Sequence, residues 1–299
     1  MNKLHHKDFS IAFKTGTDAN KSKFKKEAVQ GEMYFATDSK NLYVAETTAG
    51  AIDATLAQFN NTPFNQYSVD LDGSNDYIDC GGNADFSFTD GTGNDSAFSI
   101  SAWVKLDSNN RARVVGKGNM EWLFGTDGDS KFALLLWSND STSALLGLRE
   151  QTNLSTGVWH HLVATYDGSN TVSGIKLYRA GNPITLTFDA SSGTYAGMAS
   201  QQGSLRIGQW EGNSSVMNGL IDEVSVFNSE LSASDVSDIY NSGVPADISS
   251  LNPLGWWRMG DNDNGTGTTI TDQGSGGNDG TLTNVASPYG IVSGTGKTP

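Results

Sequence analysis

An all-β sandwich is the fold class this chain predicts, on three observations. Short runs of β-branched, aromatic and alternating residues recur from Tyr67 to Phe227, each bounded by polar turn residues. The turns carry strong signals, with Asp72-Gly73, Asp127-Gly128 and Asp167-Gly168 among them. One segment alone has a helical stripe. Many short strands at regular spacing with a single helix predict two packed antiparallel sheets.

The elements follow in chain order. Residues 1–26 read as a basic N-terminal arm with little pattern. Residues 27–62 read as an attachment hairpin and linker. Met33-Tyr34-Phe35-Ala36 and Asn41-Leu42-Tyr43-Val44 are β-rich runs about a Thr37-Asp38-Ser39-Lys40 turn. A spacer with a short apolar patch (Ile52, Leu56, Phe59) comes next. One hairpin cannot bury a core alone, so this segment must pack on the body, on a partner or on copies of itself. The main body is 63–245. Its expected strands include 67–71, 77–79, 98–105, 131–137, 143–149, 159–166, 184–188 and 219–227. Phe98, Ile100, Ala102 and Val104 share one face, whereas 159–166 is apolar on both faces, as a buried strand is. The helix is expected over 232–241. Ser232 is its N-cap, Asp235 falls at N3, and Val236, Ile239 and Tyr240 make the i, i+3, i+4 stripe before Gly243 stops it. Residues 246–299 supply C-terminal strands that complete the sheets, then a flexible end. There Trp256 and Trp257 point to opposite faces.

Charged residues are only 17% of the 299, against about 25% in typical domains. Gly, Ser, Thr, Asn and Asp fill the deficit, which is turn chemistry. The net charge of −14 is uneven: residues 1–26 carry +5 and residues 27–299 carry −19. Such an acidic body repels phosphate backbones, so nucleic acid is not an expected partner. The basic arm suits either an acidic docking surface or a frayed, solubilising terminus. No window of 18 apolar residues exists, so no membrane span is expected. The start, MNKLHHKDFSIAFKTG, lacks the apolar run of a signal peptide, which predicts synthesis and folding in a cytoplasm. The single cysteine, Cys80, allows no internal disulfide and reads as a small buried residue.

The pieces YSVDLDGSNDYIDCG (67–81), FSISAWVKLD (98–107), GVWHHLVATYDGS (157–169), IKLYRAGNPI (175–184), LRIGQ (205–209) and GLIDEVSVFNSELSASDVSDIYNSG (219–243) resemble the laminin-G-like, concanavalin A-like jelly roll superfamily. The resemblance implies an antiparallel concanavalin A-like jelly roll, preceded here by the small arm and hairpin. The hairpin GEMYFATDSKNLYVAE resembles a segment near the N-termini of bacteriophage virion proteins, fibres and capsid-associated proteins among them. A virion protein needs neither a leader nor a disulfide, which agrees with the composition.

Three kinds of chemistry bear on function. Glucanases of this fold carry E-x-D-x-x-E on one strand, which sets acid and nucleophile on one face. No such spacing occurs: Glu121, Glu150, Glu211 and Glu223 are isolated from one another. His160 and His161 point to opposite strand faces and follow no Ser or Cys nucleophile motif, so no enzyme is expected. The resemblance implies calcium at one rim of the sandwich. The candidate ligands are Asp72, Asp76 and Asp222, since calcium takes six to eight oxygens. Asp72 and Asp76 also read as Asx-turn residues, and Asp222 as a buried acceptor for backbone amides. For a glycan, Trp122, Trp137 and Trp210 are candidate stacking platforms near strand ends, with core or rim packing as the alternative. Trp103 and Trp159 read as core.

The expected function is that of a phage virion surface protein, a capsid decoration or head or tail fibre. The N-terminal region docks it to capsid or tail proteins through Lys3, Lys7, Lys14, Tyr34, Phe35, Leu42 and Tyr43. The jelly roll is displayed for host-surface adhesion. A homo-oligomer, a trimer for a fibre, is the expected assembly. The alternatives are a glycan-binding receptor lectin of the tail and, more weakly, a glycan-cleaving enzyme.

Overall fold

The computed structural model describes residues 65–299 except 83, 109–110, 139–143, 201–202, 212–215, 287–289 and 295–297, and before them five strands. The chain divides into two units, Met1–Pro63 and Phe64–Pro299.

In the first unit the strands Asn2–His6, Phe9–Gly16, Met33–Ala36, Leu42–Ala45 and Leu56–Phe59 form one sheet in chain order. Phe9–Gly16 runs parallel to Met33–Ala36, and the other pairings are antiparallel. The expected hairpin is present, with Tyr34 opposite Tyr43 and Phe35 opposite Leu42. The segment read as an unpatterned arm holds two strands, and the spacer holds one. Phe9, Ile11 and Phe13 do alternate, but the dense lysines around them hid a period that only pairing makes visible. Lys3 and Lys14 fall in these strands. Lys7 and Ile52 lie outside the described residues.

The second unit is an antiparallel sandwich. One sheet has nine strands, ordered Thr187–Asp189, Leu145–Asn153, Lys131–Trp137, Trp122–Thr126, Arg113–Lys117, Leu205–Ile207, Tyr77–Asp79, Gly280–Thr283 and Thr269–Ile270. The other runs Asn182–Pro183, Ile175–Arg179, His160–Tyr166, Phe98–Leu106, Asn218–Phe227, Tyr67–Asp72 and Gly290–Ser293. Gly255–Trp257 adds to Asn218–Phe227 as an eighth strand. The 246–299 segment thus contributes strands to both sheets.

Inward residues of both sheets form one core. Phe98, Ile100, Ala102 and Val104 face Trp122, Phe124, Leu134 and Leu136. The outer face of the eight-stranded sheet is covered too. Val163, Tyr178, Phe227 and Trp256 pack there with Val236 and Ile239 of the helix Ala233–Tyr240. This second cover explains why 159–166 is apolar on both faces. It also explains the tandem tryptophans: Trp257 belongs to the central core and Trp256 to the outer layer, and both are buried. Trp103 is buried on the outer face against Tyr240 and His161, while Trp159 is only partly buried.

The helix begins as its sequence predicts. Asp235 N donates to Ser232 Oγ at 3.2 Å, and Ser232 N donates to Asp235 Oδ2 at 2.9 Å, a reciprocal capping box. Ser232→Ala should therefore cost about 1 kcal/mol. Thermal unfolding followed by circular dichroism should show a melting point lower by about 2–4 °C.

Candidate binding sites on the sandwich

An irregular backbone marks the strand Asn218–Phe227. Asp222 pairs with Trp103 and Ser225 with Ser101, so Glu223 and Val224 oppose Ala102 alone. This is a β-bulge, and Glu223 takes φ +46° within it. Left-handed backbone at a non-glycine residue costs about 1–3 kcal/mol and persists where surrounding pairing holds it. The bulge breaks the alternation of a strand. Asp222 and Glu223, neighbours in sequence, can then present their carboxylates side by side.

Asp261 completes the group. One carboxylate oxygen from each of Asp222, Glu223 and Asp261 lies within 4.8 Å of the other two. Asp222 accepts from Asn65 Nδ2 at 2.7 Å and from the Glu223 amide at 2.8 Å. Glu223 accepts from Trp256 Nε1 at 2.6 Å and Arg258 Nε at 3.0 Å. Asp261 Oδ1 accepts from the Gln66 amide at 2.7 Å. Its Oδ2 has no hydrogen-bond donor, with Arg258 Nη2 4.0 Å away, and Asn65 Oδ1 is likewise buried without a donor. Burial pushes the Asp222 carboxyl well above the usual carboxylate range and Glu223 up to about 7, against the pull of Arg258. Burial raises Asp261 as well. The one guanidinium beside these three acids, Arg258, reaches Glu223 at 3.0 Å and Asp261 at 4.0 Å. Protons or a hard cation must supply the remaining positive charge. The donor set is all oxygen, and its two orphaned oxygens suit calcium.

The expected calcium trio is not assembled. Asp72 and Asp76 do meet: the Asp72 amide donates to Asp76 Oδ2 at 3.1 Å, and the Ser74 amide to Asp72 Oδ1 at 2.7 Å. This is an Asx turn, with Gly73 at φ +75°. Asp222 lies elsewhere. Asp72 pairs with Asn218, and Asp222 is four residues further along that strand, about 13 Å at the usual strand rise. The sequence pointed to Asp222 but missed its partners. Glu223 needed the bulge, and Asp261 needed the C-terminal segment to fold back.

The tryptophan platforms are also corrected. Trp122 is fully buried in the central core, where its Nε1 donates to the Phe86 carbonyl at 2.9 Å. Trp137 and Trp210 lie on the outer face of the nine-stranded sheet but stack on each other at 4.8 Å and are 8% and 5% exposed. They offer no open ring face. Among the described residues the exposed aromatic ring is Phe188, on the edge strand Thr187–Asp189. It is 54% exposed, and Leu186, two residues before it, is 60% exposed. Phe188 pairs with Arg149 across the strands, and the guanidinium lies 5.0 Å from the ring centroid. Its position on an edge was invisible in a sequence that shows only one more apolar run.

The isolated glutamates each have a structural partner. Glu150 pairs with Arg179 and Glu223 with Arg258, while Glu211 accepts from the Ser204 amide. Glu121 is buried near Lys117. His161 is buried with its Nε2 2.9 Å from Ser101 Oγ, and burial depresses it to about 3. His160 lies on the opposite face beside the Ser155 carbonyl.

A model of the concanavalin A-like lectin/glucanases superfamily matches residues 72–237, more than half of the chain. The chain belongs to this superfamily. Among solved structures, this superfamily member is similar to a Bacteroides ovatus protein described as a candidate carbohydrate binding protein. The TM-score is 0.51 at 16% identity, with 89% of this chain and 70% of that one covered. It is also similar to the CBM40 of a Ruminococcus gnavus IT-sialidase bound to α2,3-sialyllactose. There the TM-score is 0.42 at 15% identity, with 58% and 96% covered. A heptameric SAP-like pentraxin from Limulus polyphemus gives 0.41 at 13% identity, with 60% and 83% covered. These likenesses are of fold. No curated protein matches the chain.

Proposed function

We propose that this superfamily member is a carbohydrate-binding protein of a bacteriophage surface that binds glycan without cleaving it. The observation that carries the binding reading is Phe188. A half-exposed aromatic ring braced by Arg149 beside an exposed leucine is a small apolar patch open to solvent. Stacking a sugar ring on an aromatic face uses such a patch. The non-enzymatic part of the reading is supported by the glutamates: Glu150, Glu211 and Glu223 each hold a separate structural contact, to Arg179, to the Ser204 amide and to Arg258.

The virion reading rests on the GEMYFATDSKNLYVAE hairpin and the +5 charge of residues 1–26 against the −19 body. On this reading the first unit docks to capsid or tail proteins and assembles a homo-oligomer, a trimer in a fibre. The second unit is displayed, and calcium bound by Asp222, Glu223 and Asp261 ties the C-terminal segment to the bulged strand. A receptor lectin of the tail is the same chemistry at another position on the particle.

Binding is tested by an oligosaccharide array followed by calorimetry on the full chain. Phe188→Ala should weaken the tightest array ligand at least tenfold, about 1.4 kcal/mol, with an unchanged circular dichroism spectrum. Unchanged affinity would remove Phe188 from the site. Cleavage of any array glycan, lost on changing a single acid, would overturn the non-enzymatic reading.

A further inference from the structure

We propose that a cavity at the sandwich edge, floored by Glu150 and Arg179, takes one uncharged sugar ring through two adjacent hydroxyls. This rests on the carbohydrate-binding reading above and names the ligand class of the same edge. The cavity lies where the chain passes from Asn182–Pro183, the edge strand of one sheet, to Thr187–Asp189, the edge strand of the other. Its volume is about 270 Å³. That is slightly below the roughly 300–1,000 Å³ of ordinary ligand pockets, and suits a single ring rather than a chain.

The lining divides by height. Thr152, Asn182, Pro183, Thr185 and Leu186 form an exposed rim, and Glu150 is the buried floor. The Glu150 side chain is only 2% exposed. Its Oε1 takes Arg179 Nη1 at 2.9 Å and the Thr152 hydroxyl. Its Oε2 has no hydrogen-bond partner. A buried carboxylate oxygen without a donor is costly, and a ligand hydroxyl is the donor it lacks; since that oxygen is closed to solvent, the rim must give way locally as the hydroxyl enters. Arg179 is 37% exposed and keeps donors beyond the one given to Glu150. An acceptor and a donor side by side match two neighbouring hydroxyls, one donating to Glu150 and one accepting from Arg179. The orphaned carboxylate oxygen also selects by charge. A sugar carboxylate placed there would meet Glu150 directly, so uronic and sialic acids are disfavoured.

The geometry joins this cavity to Phe188. Arg149 pairs with Phe188 and Glu150 with Thr187 in the same two strands, so the ring platform and the cavity floor sit on opposite faces of one edge. Leu186 stands at the rim between them.

The test uses the full chain and saturation-transfer NMR with four methyl glycosides, of glucose, galactose, mannose and N-acetylglucosamine, against glucuronic and sialic acid. At least one neutral glycoside should bind, and the acids at least tenfold more weakly. Arg179→Met should weaken the neutral glycoside at least tenfold. Thr185→Trp, an exposed rim change that fills the cavity and leaves the floor intact, should do the same with unchanged thermal unfolding. Two results would overturn the cavity while sparing the broader reading. One is Phe188→Ala abolishing binding while Arg179→Met and Thr185→Trp leave it unchanged. The other is the acids binding as well as the neutral sugars. Binding by none of the six would overturn both.

Discussion

Calcium at one hundred times its dissociation constant should stabilise the full chain by about 2.7 kcal/mol. For a domain of more than 200 residues this corresponds to a melting point raised by about 5–10 °C. The effect comes from three buried acids that Arg258 alone does not neutralise. In the metal-free protein, burial holds Asp222, Glu223 and Asp261 above their ordinary values, Glu223 at about 7. The native state then binds more protons than the unfolded chain between about pH 4 and 7. Metal-free stability from this group is full below about pH 4 and is lost as pH rises through 7. Calcium replaces those protons, so its effect should be small at pH 5 and largest above pH 7. Differential scanning fluorimetry with calcium or a chelator at the two pH values reads this directly. Asp222→Asn should abolish the calcium shift while the metal-free protein still unfolds cooperatively, since an amide replaces a carboxyl that burial already holds protonated. If the shift survives in Asp222→Asn but disappears in Asp76→Asn, the ion sits at the 72–76 turn. If calcium moves neither protein, the bulge cluster holds protons alone.

What was legible in the sequence was local. The N-cap Ser232 and the N3 Asp235 lie within four consecutive residues and read correctly to the residue; their reciprocal bonding shows only in the structure. The opposed faces of His160 and His161, and of Trp256 and Trp257, follow from strand alternation and hold in the structure. What failed depended on pairing. Trp122 reads as a strand-end residue, yet its partner is a carbonyl 36 residues earlier that draws it into the core. The expected 184–188 strand is strand only at 187–188; residues 184–186 carry the chain from Asn182–Pro183 of one sheet to Thr187–Asp189 of the other, and the cavity over Glu150 lies at that crossing. A bulge changes which residues are neighbours on a face, and no single strand announces it. The Asp222 cluster was therefore visible in one of its three members.

The largest effect is expected from removing residues 1–63. The two units have separate sheets, and strands of 246–299 complete the second one from its own chain. The protein cut to 64–299 should therefore fold, melt within about 3 °C of the full chain and keep its sugar binding. On the proposed virion role it should lose particle incorporation entirely, because the five strands and the +5 charge of residues 1–26 are gone. If the first unit also assembles the oligomer, light scattering should show a trimer for the full chain and a monomer for 64–299. A graded control separates charge from shape. Replacing Lys3, Lys7 and Lys14 with Gln leaves the five strands in place and removes three of the seven lysines in 1–26. On electrostatic docking, incorporation should fall and become more sensitive to salt, since screening acts within about 10 Å at 0.1 M. Tyr34→Asp with Leu42→Asp should instead abolish incorporation at any salt if the hairpin face is what docks. A 64–299 protein that still joins particles at normal copy number would end the docking role of the first unit. One that unfolds would show that the sandwich depends on that unit, contrary to the separate sheets.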